Sequence, residues 1–166
     1  MIFAVFVKFV IFAVFAVFVA FVIFVIYKMR ILAVDPGSKD IGLAISDPTG
    51  TIAGPLTVLP HVARLVDAAS VAQLALTHAA GLIVVGQSFD DDGRLSFEGR
   101  RAQRFAQALA TQTAIPVVMW DESFTTQTAR QARIQMGVRR RDRAGHLDDL
   151  AATVLLQSYL ESNRPS

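Results

Sequence analysis

Ile31–Val34, in the stretch MRILAVDPGSKDIGLAISD, is apolar at every position. A strand that is apolar on both faces has to be covered on both, the pattern of a central strand between two layers. The residues after it, PGSKD, read as a tight turn, and IGLAIS reads as the second strand of a hairpin. Asp35 therefore closes a buried strand directly before Pro-Gly. A carboxylate in that position is costly unless something pairs with it. One reading is a turn cap that accepts from the amides of Gly37 or Ser38. The other is a chemical group, and it depends on further carboxylates reaching the same place.

The remaining pattern extends the hairpin into a larger sheet. Strand-like runs lie around 30–35, 41–47 and 51–59, followed by a helix from Val62 with Leu65, Val66 and Ala69 on its buried face and a stop at Gly81. LIVVG is a buried strand of parallel type, and a polar loop, QSFDDDGRLSFEG, leads to a helix through Phe105 and Leu109. IPVVMW is a further strand ending in Asp121-Glu122. A helix over about 126–136 stops at Gly137, VRRRDRAG forms a basic loop, and a last helix covers about 146–161. The order βββαβαβαα predicts a hairpin meander followed by crossover units. It implies an α/β fold with a mixed sheet flanked by helices on both faces.

Residues 1–28 stand apart from this scheme, as an apolar amino-terminal segment preceding a domain over 29–166. Phe9–Tyr27 is an uncharged run of 19 residues, long enough by itself to span a membrane. Phenylalanine recurs at every third position from Phe3 to Phe24, and Tyr27 continues the series. A period of three matches neither a helix nor a strand. A nine-nucleotide DNA repeat read in frame produces it, so the expectation is that the domain's own start is Met29. A membrane anchor is the alternative, and a membrane partner is expected only in that case.

The chemistry is sought among carboxylates, because the chain has no cysteine and thus neither disulfides nor thiolate metal sites. Functional groups in such sheets gather at the strand ends. Asp35 ends the first strand and Asp121-Glu122 end the last. The third source is GHLDDLAATVLLQSYL, where Leu147, Leu150, Ala151, Val154 and Leu155 form an apolar stripe at helical spacing. At about 100° per residue, Asp148 falls at the edge of that stripe and Asp149 almost opposite. Asp148 is therefore the member of the pair that reaches toward Asp35. Clustered carboxylates repel unless a cation holds them, and an all-oxygen set suits Mg²⁺ or Mn²⁺.

Net charge is only +2, but ten arginines lie between Arg94 and Arg143 against four acids. That half is suited to a polyanion, with Arg139, Arg140, Arg141 and Arg143 as the foremost phosphate contacts. Thr125 and Thr126 either contact a nucleic-acid backbone or cap the helix that follows. Asp90, Asp91, Asp92 and Gly93 lack the bidentate Glu of a calcium loop and read as a polar turn.

ILAVDPGSKDIGLAISD, IVVGQSFDDDG, VVMWDESFTTQTA and HLDDLAA together resemble the YqgF family, Holliday-junction-resolvase-like proteins also described as pre-16S rRNA nucleases. The resemblance covers Met29 to about Leu160. It implies an RNase H-like fold and a metal-dependent endonuclease that processes the 5′ end of pre-16S rRNA. Resolution of Holliday junctions or other branched DNA, or non-catalytic nucleic-acid binding, are the alternatives. By position, Asp35, Glu122 and Asp148 match the family's three acids, as both metal-holding and catalytic residues. Thr125 and Thr126 match its paired threonines. The sequence departs from the family at Asp40, at Gln87-Ser88 and at Ser123-Phe124, the last costing an arginine beside Glu122. The expected partner is structured RNA or branched DNA with no nucleotide cofactor, acting as a monomer or homodimer in the cytoplasm. The same Asp-Gly hairpin opens sugar-kinase and actin-type folds, but those need a second domain for which this chain has no room.

Overall fold

The structure is a computed structural model. It describes residues 29–121 and 147–163, and of residues 147–149 the backbone alone. Among the described residues, five strands and three helices follow one another as β1 (Arg30–Pro36), β2 (Asp40–Ser46), β3 (Ala53–Pro60), α1 (Arg64–Thr77), β4 (Ala80–Gln87), α2 (Phe97–Ala110), β5 (Val117–Asp121) and α3 (Leu147–Ser162). The sheet order is β3-β2-β1-β4-β5. β1 pairs antiparallel with β2 and parallel with β4, and β4 pairs parallel with β5. The apolar strand is thus central, as its composition demands. The helix expected over 126–136 and the loop VRRRDRAG lie outside the described residues, as does the segment 1–28.

Alternation along β1 and β2 divides the core in two. Leu32, Val34, Ile41 and Leu43 point to one face, where Ala68, Val71, Ala72 and Ala75 of α1 and Ala102, Phe105 and Leu109 of α2 cover them. Ala33 and Ala44, which are cross-strand partners, point to the other face and meet Ala152, Leu155, Leu156 and Leu160 of α3. The α3 layer therefore rests on a floor of methyl groups, which lets helix and sheet backbones approach closely. Leu156 alone, fully buried, contributes about 1.5–3 kcal/mol by removal from water.

Two helix readings need correction. Leu65 and Val66 of α1 are 60% and 53% exposed, and Ala69 is also exposed. The buried side of α1 is instead Asp67, Ala68, Val71, Ala72 and Ala75. Asp67 fixes that rotation: its carboxylate is buried, accepts from the Val62 amide at 3.1 Å and pairs with His61 Nδ1 at 2.6 Å. Small alanines then pack where larger residues were expected. On α3 the buried line runs through Ala152, Leu155, Leu156 and Leu160, one position on from the anticipated stripe. Ala152 stands four residues after Asp148 and three after Asp149, so neither position is opposite the buried face.

α1 also ends earlier than expected, at Thr77, and Gly81 lies inside β4. The chain reverses at Ala79, which adopts φ 53° and donates its amide to Leu76 O at 3.0 Å. A left-handed conformation costs a residue with a Cβ about 1–2 kcal/mol. Ala79→Gly should therefore stabilise the fold by about 0.5–1 kcal/mol, read as a higher midpoint in thermal or urea unfolding. A lower midpoint would show that the exposed methyl group of Ala79 is needed.

Candidate active site

β1, β4 and β5 run parallel, so their carboxyl ends share one edge of the sheet, and that edge carries Asp35-Pro36, Gln87 and Asp121. Asp35 is half-buried there. By alternation with Ala33 it belongs to the face that α3 covers. Both neighbours of Asp35 within the sheet are glycines. Gly42 is its partner on β2, and Gly86 on β4 follows Val85, the partner of Val34. The carboxylate is therefore not hemmed in by side chains from either adjacent strand.

The turn after Asp35 is built from the main chain. Gly37 N–H donates to the Asp35 carbonyl oxygen at 3.0 Å, so this amide is used by the backbone rather than by the carboxylate. A Cβ at Gly37 would collide with the carbonyl oxygen of Asp40, which explains why Pro-Gly rather than Pro-Xaa follows the acid. Arg101 of α2 reinforces the turn by donating from Nε and Nη2 to Pro36 O at 3.2 and 2.9 Å. A cavity of about 130 Å³ opens at this edge, lined by Asp35, Gly86, Gln87, Ser88, Glu98 and Arg101. Its wall is set by the amino-terminal end of α2, where Ser96 caps the Gly99 amide at 2.9 Å and its hydroxyl lies 2.7 Å from that of Ser88.

The other anticipated groups are distributed as follows. Asp121 is the last residue of β5, and Glu122, next to it, lies outside the described residues. So do Thr125, Thr126, Arg139, Arg140, Arg141 and Arg143. Asp148 occupies the first turn of α3, the helix packed on Asp35's face of the sheet. Among the described residues no three His, Asp or Glu side chains gather as a metal cluster. Asp90 is a turn residue, accepting from the amides of Asp92 and Arg94 at 3.1 and 2.8 Å. Trp120 belongs to the core, edge-on to Tyr159 with ring centroids 5.2 Å apart. No helix among the described residues is long and apolar enough to cross a membrane.

Sequence reasoning missed Asp47, the true capping aspartate of the hairpin region. Its carboxylate accepts from the amides of Thr49, Thr51 and Ile52 at 3.1, 2.7 and 2.9 Å, and from the Thr49 hydroxyl. Gly50 N–H closes the turn on Asp47 O at 3.0 Å. The signal was present in Asp47-Pro48-Thr49-Gly50, which has the residues of a type I turn in order. The Thr49 hydroxyl, then the Ile52 and Thr51 amides, hold this carboxyl far below the usual carboxylate range. Because the folded-state value is depressed, the stabilisation is fully present above the ordinary range of about 4 and fades as pH falls through the folded value. Asp47→Asn should thus unfold more easily than the parent near pH 7, with the gap narrowing at about pH 3. A gap independent of pH would mean that the ionised form has no special partner here.

The sheet order, the lone antiparallel neighbour of the central strand and helices on both faces define an RNase H-like domain. The structure superposes on Thermus thermophilus RuvC in complex with Holliday junction substrate with TM-score 0.54 and 18% identity, covering 81% of this chain and 96% of that one. Residues 29–162 match the family described as RuvX: Holliday junction resolvase, and the chain belongs to that family. It is 36% identical over 137 residues to the Thermoanaerobacter pseudethanolicus protein named "Putative pre-16S rRNA nuclease", covering 82% of this chain and 99% of that protein. A Syntrophus aciditrophicus protein of the same name is 38% identical over 134 residues, covering 81% of this chain and 89% of its own. These matches bear out the resemblance carried by the four motifs.

Proposed function

We propose that this protein is a divalent-metal-dependent endonuclease that cleaves phosphodiester bonds in structured RNA, acting at the 5′ end of pre-16S rRNA. The observation that carries the reading is Asp35. It is a half-buried carboxylate ending the central strand, flanked by Gly42 and Gly86, with the amide of the following glycine committed to the backbone. An oxygen donor that meets no side chain from either neighbouring strand position fits a hard cation such as Mg²⁺ or Mn²⁺. Glu122, one residue beyond β5, and Asp148, on α3, would complete the set, and the absence of cysteine agrees with all-oxygen ligation. When bound, such a cation polarises the phosphate and activates water.

The chain's own residues supply position. Asp35 is held by a strand paired on both sides, and its turn is pinned by Arg101, so its placement does not depend on a mobile loop. Arg139, Arg140, Arg141 and Arg143 would neutralise phosphates, with Thr125 and Thr126 contacting the backbone of the substrate. Residues 1–28 are read as lying outside the functional domain. Holliday-junction cleavage is the second reading, favoured by the fold shared with the RuvC complex. The test is cleavage of a pre-16S rRNA 5′ fragment and of a four-way DNA junction, with Mg²⁺, Mn²⁺ or EDTA, by the full chain and by protein starting at Met29. Metal-dependent cutting of the RNA supports the first reading and cutting of the junction alone the second. Cutting of neither removes the nuclease reading.

A further inference from the structure

A second cavity, of about 180 Å³, lies beside the first and shares Pro36 and Arg101 with it. Its rim carries His61, Arg64, Arg101 and Arg104, and its floor includes Ile41 and Phe105. Arg64 opens α1, while Arg101 and Arg104 are three residues apart on α2, so two helices aim cations at one hollow. No Asp or Glu lines it. Among the described residues, none of these three arginines forms an ion pair. The neighbouring acid, Asp67, is only 4% exposed and is committed to His61 Nδ1 at 2.6 Å. Arg101 is held in place by its two bonds to Pro36 O, and its Nη1 has no partner among the described residues.

Three guanidinium groups around one hollow, with no ion pair among the described residues, repel one another and are stabilised together by an anion. Their forked donors match phosphate oxygens. The buried ring of Phe105 beneath them lowers the local dielectric, which strengthens any such contact. We infer that the His61–Arg64–Arg101–Arg104 cleft is a phosphate subsite that holds the substrate strand at a nucleotide adjacent to the one facing Asp35. The identity of the anion as a nucleic-acid phosphate rests on the reading in the preceding subsection. Arg101 belongs to both cavities and is a positioning residue: it fixes the turn that carries Asp35 while facing the neighbouring phosphate.

The test is equilibrium binding by the full chain, in EDTA so that nothing is cut. The probes are a labelled RNA hairpin with a single-stranded 5′ extension and a four-way DNA junction, each titrated across salt. Arg64→Ala/Arg104→Ala should weaken binding about ten-fold or more and reduce the salt slope by roughly one to two. Both residues are exposed, so the melting temperature should not change, and Arg64→Glu/Arg104→Glu should weaken binding further. Arg30→Ala, which removes one charge at the opposite edge of the sheet, controls for net charge and should change little. Unchanged affinity and slope in the double variants, or equal loss in Arg30→Ala, would overturn the subsite. A parent protein that binds but never cuts with Mg²⁺ or Mn²⁺ would remove the nuclease reading while leaving the subsite standing. Absence of salt-dependent binding by the parent would overturn both.

Discussion

Asp35→Asn should reduce metal-dependent cleavage by about a thousand-fold or more while leaving the folded domain intact. The size follows from losing a ligand's share of several kcal/mol of cation-derived transition-state stabilisation. Asn keeps the shape of the side chain, and the turn itself is secured by the Gly37 amide on Asp35 O, which the substitution does not touch. In the absence of metal the stability of the variant should hold or rise, because repulsion among the acids is relieved. Adding Mg²⁺ should raise the melting temperature of the parent and not that of the variant. A turn-capping role predicts the reverse: lower stability with activity spared. Asp148→Asn should follow Asp35→Asn, whereas Asp149→Asn should stay near the parent. That pair needs experiment, since the buried line of α3 puts neither position opposite the packed face.

The second large effect belongs to Gly37. Any side chain there meets the main-chain carbonyl of Asp40, and a main-chain atom cannot swing aside as a flexible side chain would. Gly37→Ala should cost about 3 kcal/mol, lowering the midpoint of thermal unfolding by roughly 10 °C. Cleavage should also fall in the molecules that remain folded, because the turn that moves is the one holding Asp35. A variant melting within a degree or two of the parent would show that the β1–β2 connection relaxes freely. Comparing the two substitutions separates loss of a charge from loss of its placement.

Much of this architecture was legible in the residues. Ile31–Val34 announced a central strand, and the switch from hairpin strands to helix-strand alternation gave a mixed sheet. The helix through Phe105 and Leu109 was also expected, although it begins at Phe97, inside the stretch read as loop, with Ser96 as its cap. What failed was the rotation of helices about their own axes. Leu65 and Val66 looked like core because they are large and apolar, yet the buried acid Asp67 and a row of alanines turned α1 the other way. Hydropathy cannot foresee a carboxylate going inward, because its partner, His61, lies outside the helix. The same limit shifted α3 by one position, where close contact with Ala33 and Ala44 favours Ala152 over a larger neighbour. Asp35 drew notice because a carboxylate ending an apolar strand is costly to bury without a partner. Asp47 was passed over because it sat in an ordinary turn, where acids are unremarkable. The arginines of the second cavity were invisible as a group, since Arg64 stands far in sequence from Arg101 and Arg104.

The side-chain amide of Gln157 accepts from Ala53 N at 3.0 Å and donates to Thr51 O at 3.4 Å, joining positions 104 and 106 residues apart. This clasp has a consequence for the order of events at the ribosome. The meander β1–β2–β3 is made of near neighbours and can form as soon as it emerges, but one of its faces, around Ala33 and Ala44, stays uncovered until α3 has been synthesised. At about 5–20 residues per second, the hundred intervening residues leave that face exposed for several seconds. Long-range closure of this kind slows folding and favours association of half-made chains. The helix that carries Asp148 is also the last described element to be synthesised. A nascent or carboxyl-truncated chain thus has β1 in place and its Ala33–Ala44 face uncovered, so the complete fold is deferred until the chain is nearly finished.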